Sequence, residues 1–433
     1  MQADSMNYGK HPWVEAVSLV QRWLEHGERS DELLEQAASD LDAVGRARVQ
    51  NLVWGVLRNH IRVARLLEKR LSHPPRELVL AILHVAGFEM IEAQTGPDAA
   101  GTYPKIVHHA VEQSKHLVSR AEEKLVNAVL RRLSEDISAQ TVPPALAQSH
   151  ILASYYSHPE WLVKRWQAVF GAKPTRALLD WNQSPGAVYL RRRPGFEGEL
   201  PAVLKTTQWA DFYMVEPGHW RDVSKLVQEG QFYAQDPSTR LSIDLLNPQA
   251  GEWVLDLCAA PGGKSLACAD RMGTGHLVAI DLPGERLGRL RENLARIRGV
   301  EARLVEADLQ ANLSMALQAA KLPAGYAAVM LDAPCSNTGV MRHRVDVKDR
   351  LEESDMAKHA TQQLRLLRAA SKHVLPGGRL VYSTCSIDPE ENEQVVVAFL
   401  KDAPAFTLED KRLGRPWEHG HDGAAAFLLR RAK

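Results

Sequence analysis

The stretch Val254–Asp270, VLDLCAAPGGKSLACAD, decides how the C-terminal half of this chain is read. An apolar strand, Trp253–Leu257, runs into small residues, and a helix opens near Lys264. The tail Gly262-Gly263-Lys264-Ser265 matches the end of the phosphate-gripping pattern G-x-x-x-x-G-K-[ST]. That pattern needs glycine five positions before Gly263, where this chain carries Cys258. The turn therefore offers backbone N–H groups at a helix start to a ligand. It lacks the first glycine of a triphosphate loop.

Working outward, strands and helices alternate from Phe232 onwards. Strands are expected at Trp253–Leu257, His276–Ile280, Ala302–Val305, Ala327–Leu331 and Arg379–Ser383, with helices starting near Lys264, Pro283, Ser354 and Glu390. Such alternation argues a parallel sheet covered on both faces. Ligands in these folds sit at the carboxyl ends of the strands. Towards the N-terminus the pattern is helical from Ala16 to Leu133 and implies a bundle. Glu77–Ala93 follows Pro74-Pro75, where a helix can begin. Val107–Leu117 and Glu122–Leu133 are amphipathic with basic outer faces, and Thr95–Gly101 reads as a loop. Between Val142 and Gln231 proline, tryptophan and alternation increase, with short strands at Ala187–Arg191 and Gln208–Val215. The expected division is a helical domain at 1–142, a small α/β subdomain at 143–231 and a sheet domain at 232–433.

A chain of 433 residues with 45% hydrophobic residues can build two or three cores. Lys+Arg and Asp+Glu are equal at 53 each, so no global basic field announces nucleic acid. Any RNA contact must come from local clusters such as Arg191-Arg192-Arg193 or Arg342-His343-Arg344, each of which reads equally as a solvated face. No apolar run is long enough to span a bilayer. The opening MQADSMNYGKHPW lacks the layout of a signal peptide, so a cytoplasmic protein is expected. The four cysteines form no C-x-x-C pair and no histidine stands at ligand spacing, so neither a metal site nor a disulfide framework is expected.

Residues just after each strand carry the chemistry. Asp281 follows the second strand, where an acid suits a ribose diol. Asp308 follows the third and could meet an adenine amino group. Each alone is more often a helix cap or turn residue than a functional one. The fourth strand ends in Asp332-Ala-Pro-Cys335-Ser-Asn-Thr-Gly339, and the fifth in Ser383-Thr-Cys385-Ser-Ile-Asp-Pro-Glu-Glu391-Asn. A lone thiol is usually inert packing, the reading given to Cys258 and Cys268. Two cysteines at neighbouring strand ends point to chemistry.

Together D-x-C-A-A-P-G-G-K, D-A-P-C-S-x-T-G and S-T-C-S-x-x-P-E-E-N resemble the RNA cytosine-C5 methyltransferases of the Nol1/Nop2/Sun family. Phe232–Arg240 (FYAQDPSTR) resembles that family's motif before the catalytic sheet. The helical N-terminus, above all Glu123–Leu133, resembles the NusB-like RNA-binding domain of one bacterial branch. The resemblance implies an α/β Rossmann-like class I methyltransferase with a mainly parallel seven-stranded sheet, preceded by an all-α NusB-like domain and a small α/β subdomain. It implies S-adenosyl-L-methionine as methyl donor and a cytosine in a stem-loop of small-subunit ribosomal RNA as target, naked or in an early particle. A monomer is expected.

Residue by residue, the resemblance makes Cys385 the nucleophile at cytosine C6 and Cys335 the assistant in elimination. It places Asp332 at the N3/N4 edge of the base, with Lys264 positioning the base or that carboxylate. The donor would lie against Cys258, Ala259, Ala260, Pro261, Gly262, Gly263 and Lys264, with Asp281 on its ribose, Asp308 near its adenine, and Arg286 and Asp332 also among its binding residues. The chain departs from the family at Asn337, where glycine is common, at His343–Asp349, and at the less aromatic ending Asp422–Phe427. A P-loop NTPase fails at Cys258. A DNA cytosine methyltransferase would use Cys335 and leave the S-T-C motif idle. Another RNA, such as tRNA, or a non-catalytic RNA-binding or ribosome-assembly role are the alternatives.

Overall fold

The computed structural model describes residues 11–35, 37 and 41–433. Residues 1–10, most of the segment read for a secretion signal, lie outside it. The chain folds as two compact units, residues up to Ser184 with Arg344–Arg350, and Pro185–His343 with Leu351–Lys433.

The first unit is helical. Pro12 occupies the first turn of the Pro12–His26 helix, and left-handed Gly27 closes it with an N–H bond to the Trp23 carbonyl. Ser119 and Glu122 form a capping box on Arg120–Ala139. Glu77–Gln94 is apolar nearly all round and runs through the core against Pro12–His26, Ala43–Leu67, Ala99–Ser114 and Arg120–Ala139. A Cβ at Gly55 would stand 2.1 Å from Phe88 Cζ, so glycine lets those helices close up. The loop expected over Thr95–Gly101 is shorter. Asp98 accepts from the Gly101 N–H at 3.0 Å and starts a helix at Ala99.

The segment Arg344–Arg350 belongs to this unit although it follows the Pro-Cys motif in sequence. Val345 joins the helical core. Buried Lys348 donates to the carbonyls of Arg58, at 2.6 Å, and Ser157, and burial lowers its pKa to about 8. Asp346 accepts from Ser30 Oγ at 2.9 Å, and Asp349 faces His60 at 3.1 Å.

The second unit holds two sheets. Strands β1 (Tyr189–Arg192), β2 (Leu204–Thr206), β3 (Phe212–Val215) and β4 (Phe232–Ala234) form an antiparallel sheet of order β2-β3-β1-β4. In its contacts, the region read as one subdomain at 143–231 divides at Ser184, with the helices up to Gln183 in one unit, and strands β1 to β3 and the helix Trp220–Gln228 in the other. The Arg191–Arg193 cluster is not an open basic patch. Arg191 and Arg193 are each 8% exposed and both grip Asp270.

The larger sheet contains β5 (Trp253–Leu257), β6 (Gly275–Asp281), β7 (Val300–Glu306), β8 (Tyr326–Asp332), β9 (Val374–Thr384), β10 (Phe406–Gly414) and β11 (Ala424–Arg431). Its order is β10-β11-β9-β8-β5-β6-β7, with β5 to β9 parallel and β11 antiparallel to both neighbours. Leu255, Leu257, Val329 and Leu331 face one core, while Val254, Ala328 and Met330 face the other. Both faces are covered, which is why these strands read as continuous apolar runs. The helices expected near Pro283 and Glu390 begin later, at Leu287 and Glu393. The strand order reverses between β5 and β8, and a crevice opens at the carboxyl edge there. No helix among the described residues is long and apolar enough to cross a membrane.

Candidate active site

The ends of β5, β8 and β9 line a cavity of about 300 Å³. Its wall includes Cys258, Ala259, Ala260, Pro261, Gly263, Lys264, Asp332 and Cys385. Asp332 and Ser383 are in register at the strand ends, and the Ala333 N–H donates to the Ser383 carbonyl at 2.9 Å. This pairing brings two loops that are far apart in sequence together. Cys335 Sγ lies 3.2 Å from Cys385 Sγ.

A lattice of buried side chains fixes those loops. Ser336 donates to Glu391 through its N–H at 2.9 Å and its hydroxyl at 2.5 Å, and Gln363 Nε2 adds a third bond at 3.1 Å. Thr338 donates to Asp388 at 2.6 Å, and Thr384 to Asn392 Oδ1 at 2.6 Å. The Gly339 N–H reaches the Cys385 carbonyl at 3.0 Å, and a Cβ at Gly339 would stand 2.6 Å from that oxygen. Glu391 and Gln363 escaped sequence reasoning as functional supports. Glu391 was visible only as a letter of P-E-E-N, and Gln363 sits in a helix with no motif.

Lys264 bonds Asp332 Oδ1 and reaches Ser383 Oγ at 3.3 Å, while Ser383 Oγ donates to the same carboxylate oxygen at 3.0 Å. It is therefore not a solvated first-turn lysine. Below it, fully buried Asp256 accepts from Ser265 Oγ at 2.5 Å. Its Oδ1 has no partner among the described residues, and burial lifts its pKa to about 7. Burial also raises the thiols of Cys258 and Cys268, with the Asp281 charge adding at Cys258 and the Asp256 charge at Cys268. The Cys335 thiol is raised first by its bond to Cys385 and then by burial, so it is held protonated.

The cofactor side is built differently. Asp281 accepts from the Ala260 N–H through Oδ2 and from the Leu282 N–H through Oδ1, each at 2.8 Å, tying the loop to the end of β6. Gly262 has φ +100°, and a Cβ there would meet Leu290 Cδ1 at 2.8 Å. A Cβ at Gly263 would meet Tyr233 Cε1 at 3.0 Å. The sequence suggested that these glycines make room for a ligand. A side chain at either position would meet the protein's own residues, while Gly263 also lines the 300 Å³ cavity. Asp281, exposed Arg286 and Asp308 stand outside the lining of the 300 Å³ cavity, near the ends of β6 and β7. Asp308 Oδ1 accepts from the Gln310 N–H at 2.8 Å, the turn role that its position allowed.

One group among the described residues has ligand-type atoms within 4.8 Å of one another, Asp236, His343 and Asp422. Sequence spacing, which suggested no metal site, missed it because the three residues are distant in the chain. Within it, His343 Nε2 lies 3.6 Å from Asp422 Oδ2.

Comparison with known proteins places the geometry. Residues 243–424 match the family model described as 16S rRNA methyltransferase RsmB/F, and residues 14–135 match the NusB family. Ribosomal RNA small subunit methyltransferase B of Enterobacter sp. (strain 638) is 30% identical over 422 residues, covering 91% of each chain. Its counterpart from Citrobacter koseri is 30% identical over 426 residues with the same coverage. In fold, the chain is similar to the crystal structure of PH0851, with TM-score 0.72 and 21% identity over 100% of both chains. It is also similar to NSun6 from Pyrococcus horikoshii with SFG, with TM-score 0.54 and 19% identity over 64% of this chain and 98% of that one.

Proposed function

The chain belongs to the RsmB/F family of 16S rRNA methyltransferases, and from that premise we propose that it methylates carbon 5 of a cytosine through a covalent bond between Cys385 and carbon 6. The observation that carries this reading is the pair of sulfurs 3.2 Å apart beside the Lys264–Asp332 pair. Cytosine C5 is a weak nucleophile. Addition of the Cys385 sulfur to C6 puts electron density on C5 and divides one hard step into easier ones. Asp332 faces the N3/N4 edge of the base, and Lys264 holds that carboxylate in place. After methyl transfer the C5 proton must leave before the S–C6 bond can break. Cys335, beside the attacking sulfur, assists its removal directly or through water.

S-adenosylmethionine supplies the electrophilic methyl group when bound. The residues present suit it. The Cys258–Gly263 turn is small and lies at the carboxyl edge, and Asp281 and Asp308 offer acceptors near the ends of β6 and β7. The target base must leave its stack, at a cost of a few kcal/mol that is least in a loop. Recognition of the RNA stem-loop falls to the regions at 1–142 and 143–231.

The test is a cysteine exchange assayed with small-subunit ribosomal RNA. Cys385→Ala abolishes 5-methylcytosine, read by bisulfite sequencing. Cys335→Ala accumulates a protein–RNA adduct that survives denaturing gels. An adduct that requires Cys335 and forms without Cys385 would reverse the assignment.

A further inference from the structure

Asn337 sits between the two cysteine loops in the left-handed conformation, with φ 61° and ψ 23°. Glycine adopts that conformation freely, and asparagine is among the few other residues that adopt it at small cost. The side chain uses the position. Asn337 Nδ2 donates to the Cys335 carbonyl at 2.9 Å, and the Cys385 thiol donates to Asn337 Oδ1 at 3.1 Å. The first bond fixes the amide, because reversing it would set Oδ1 against another carbonyl oxygen. With the Cys385 proton directed at Asn337, the 3.2 Å contact between the sulfurs is donated by Cys335. The bonds therefore run one way, from Cys335 through Cys385 to Asn337.

We propose that Asn337 is a positioning residue that masks the nucleophile. Its amide oxygen holds the Cys385 proton and keeps the thiol directed into the protein until that bond is broken. This rests on Cys385 being the nucleophile, but its test does not need methyl transfer. Glycine at 337 would remove the acceptor and keep the backbone. Aspartate would keep an acceptor and add a negative charge beside the sulfur.

The full-length protein is treated with iodoacetamide at neutral pH without RNA or methyl donor, and each cysteine is followed by peptide mass spectrometry. The Cys385 sulfur displaces iodide, and its proton passes to buffer. Losing one hydrogen bond to the thiol is expected to speed Cys385 labelling in Asn337→Gly by about 3- to 10-fold at unchanged Cys335 labelling. Asn337→Asp slows it below the wild-type rate.

Equal Cys385 rates in wild type and Asn337→Gly at neutral pH would overturn the proposal. So would a parallel rise at both cysteines, which marks a loosened loop. A methylation assay on the same variants separates the two ideas. If Cys385 proves dispensable for methylation, the functional reading falls, whatever the labelling shows.

Discussion

Glu391 and Asp256 are both fully buried carboxylates beneath the same crevice, and they are held in opposite ways. Glu391, after β9, takes bonds from the Ser336 N–H, the Ser336 hydroxyl and Gln363. Asp256, in β5, takes one from Ser265 and leaves Oδ1 without a partner among the described residues. A buried charge is tolerable in proportion to the donors that replace water around it. The cysteine side of the site is thus a polar lattice around a fully engaged Glu391, although Gln363 Oε1 in it has no partner among the described residues. The cofactor side relies on packing and carries one under-solvated acid.

The largest expected effect tests the lattice. Glu391→Ala removes the acceptor of three bonds in a dry interior, leaving only weaker alternatives for the Ser336 hydroxyl, and is expected to cost about 3 kcal/mol. It should also free the Cys335 loop, so that methylation falls further than stability alone explains. Urea unfolding beside single-turnover methylation checks both. A variant as stable as wild type would show that the lattice contributes little.

The cofactor side is tested by crowding it. Gly262→Ala forces a Cβ into a φ of +100° and against Leu290, for an expected loss of about 2 kcal/mol. Leu290→Ala in the same chain should return part of that loss, because it removes the clash and leaves the backbone strain. If Gly262→Ala keeps full stability and loses only donor binding, the glycine serves a ligand and the comparison fails on that side.

What the sequence made legible follows the same division. Strand β5 was read to the residue, because a strand covered on both faces is a continuous apolar run bounded by turn signals. Cys335 and Cys385 were placed at neighbouring strand ends by the same alternation, and the structure sets their sulfurs 3.2 Å apart. Partners from distant chain positions could not be read. Ser336 meets Glu391 fifty-five residues away, Arg193 meets Asp270 seventy-seven away, and Lys348 finds Arg58 across 290. Each has a local disguise, as a motif letter, a basic patch or a surface lysine. Gly262 likewise packs beside Leu290, a neighbour that its place in the glycine turn does not reveal. The Arg344–Arg350 segment also depends on helical residues far back in the chain. Removing residues 1–140 would take Arg58 from Lys348 and His60 from Asp349.

The most direct test of the contrast is the pH dependence carried by Asp256. Its pKa rises from 3.8 to about 7 in the folded chain because burial outweighs the Ser265 bond. Between these values the unfolded chain has released the proton and the folded chain keeps it, so folding takes up a proton. The stability from this group is therefore fully present below about pH 4. It is lost as pH rises towards 7, by at most about 1.4 kcal/mol per pH unit, and is level above. Asp256→Asn removes the titration while keeping an oxygen for Ser265, although its buried NH₂ also lacks a partner and offsets part of the gain. Compared at pH 5 and pH 7.5 by urea unfolding, the wild type should lose stability relative to the variant. Parallel changes in the two proteins would mean that Asp256 is as well solvated as Glu391 and that the two sides of the site do not differ in this way.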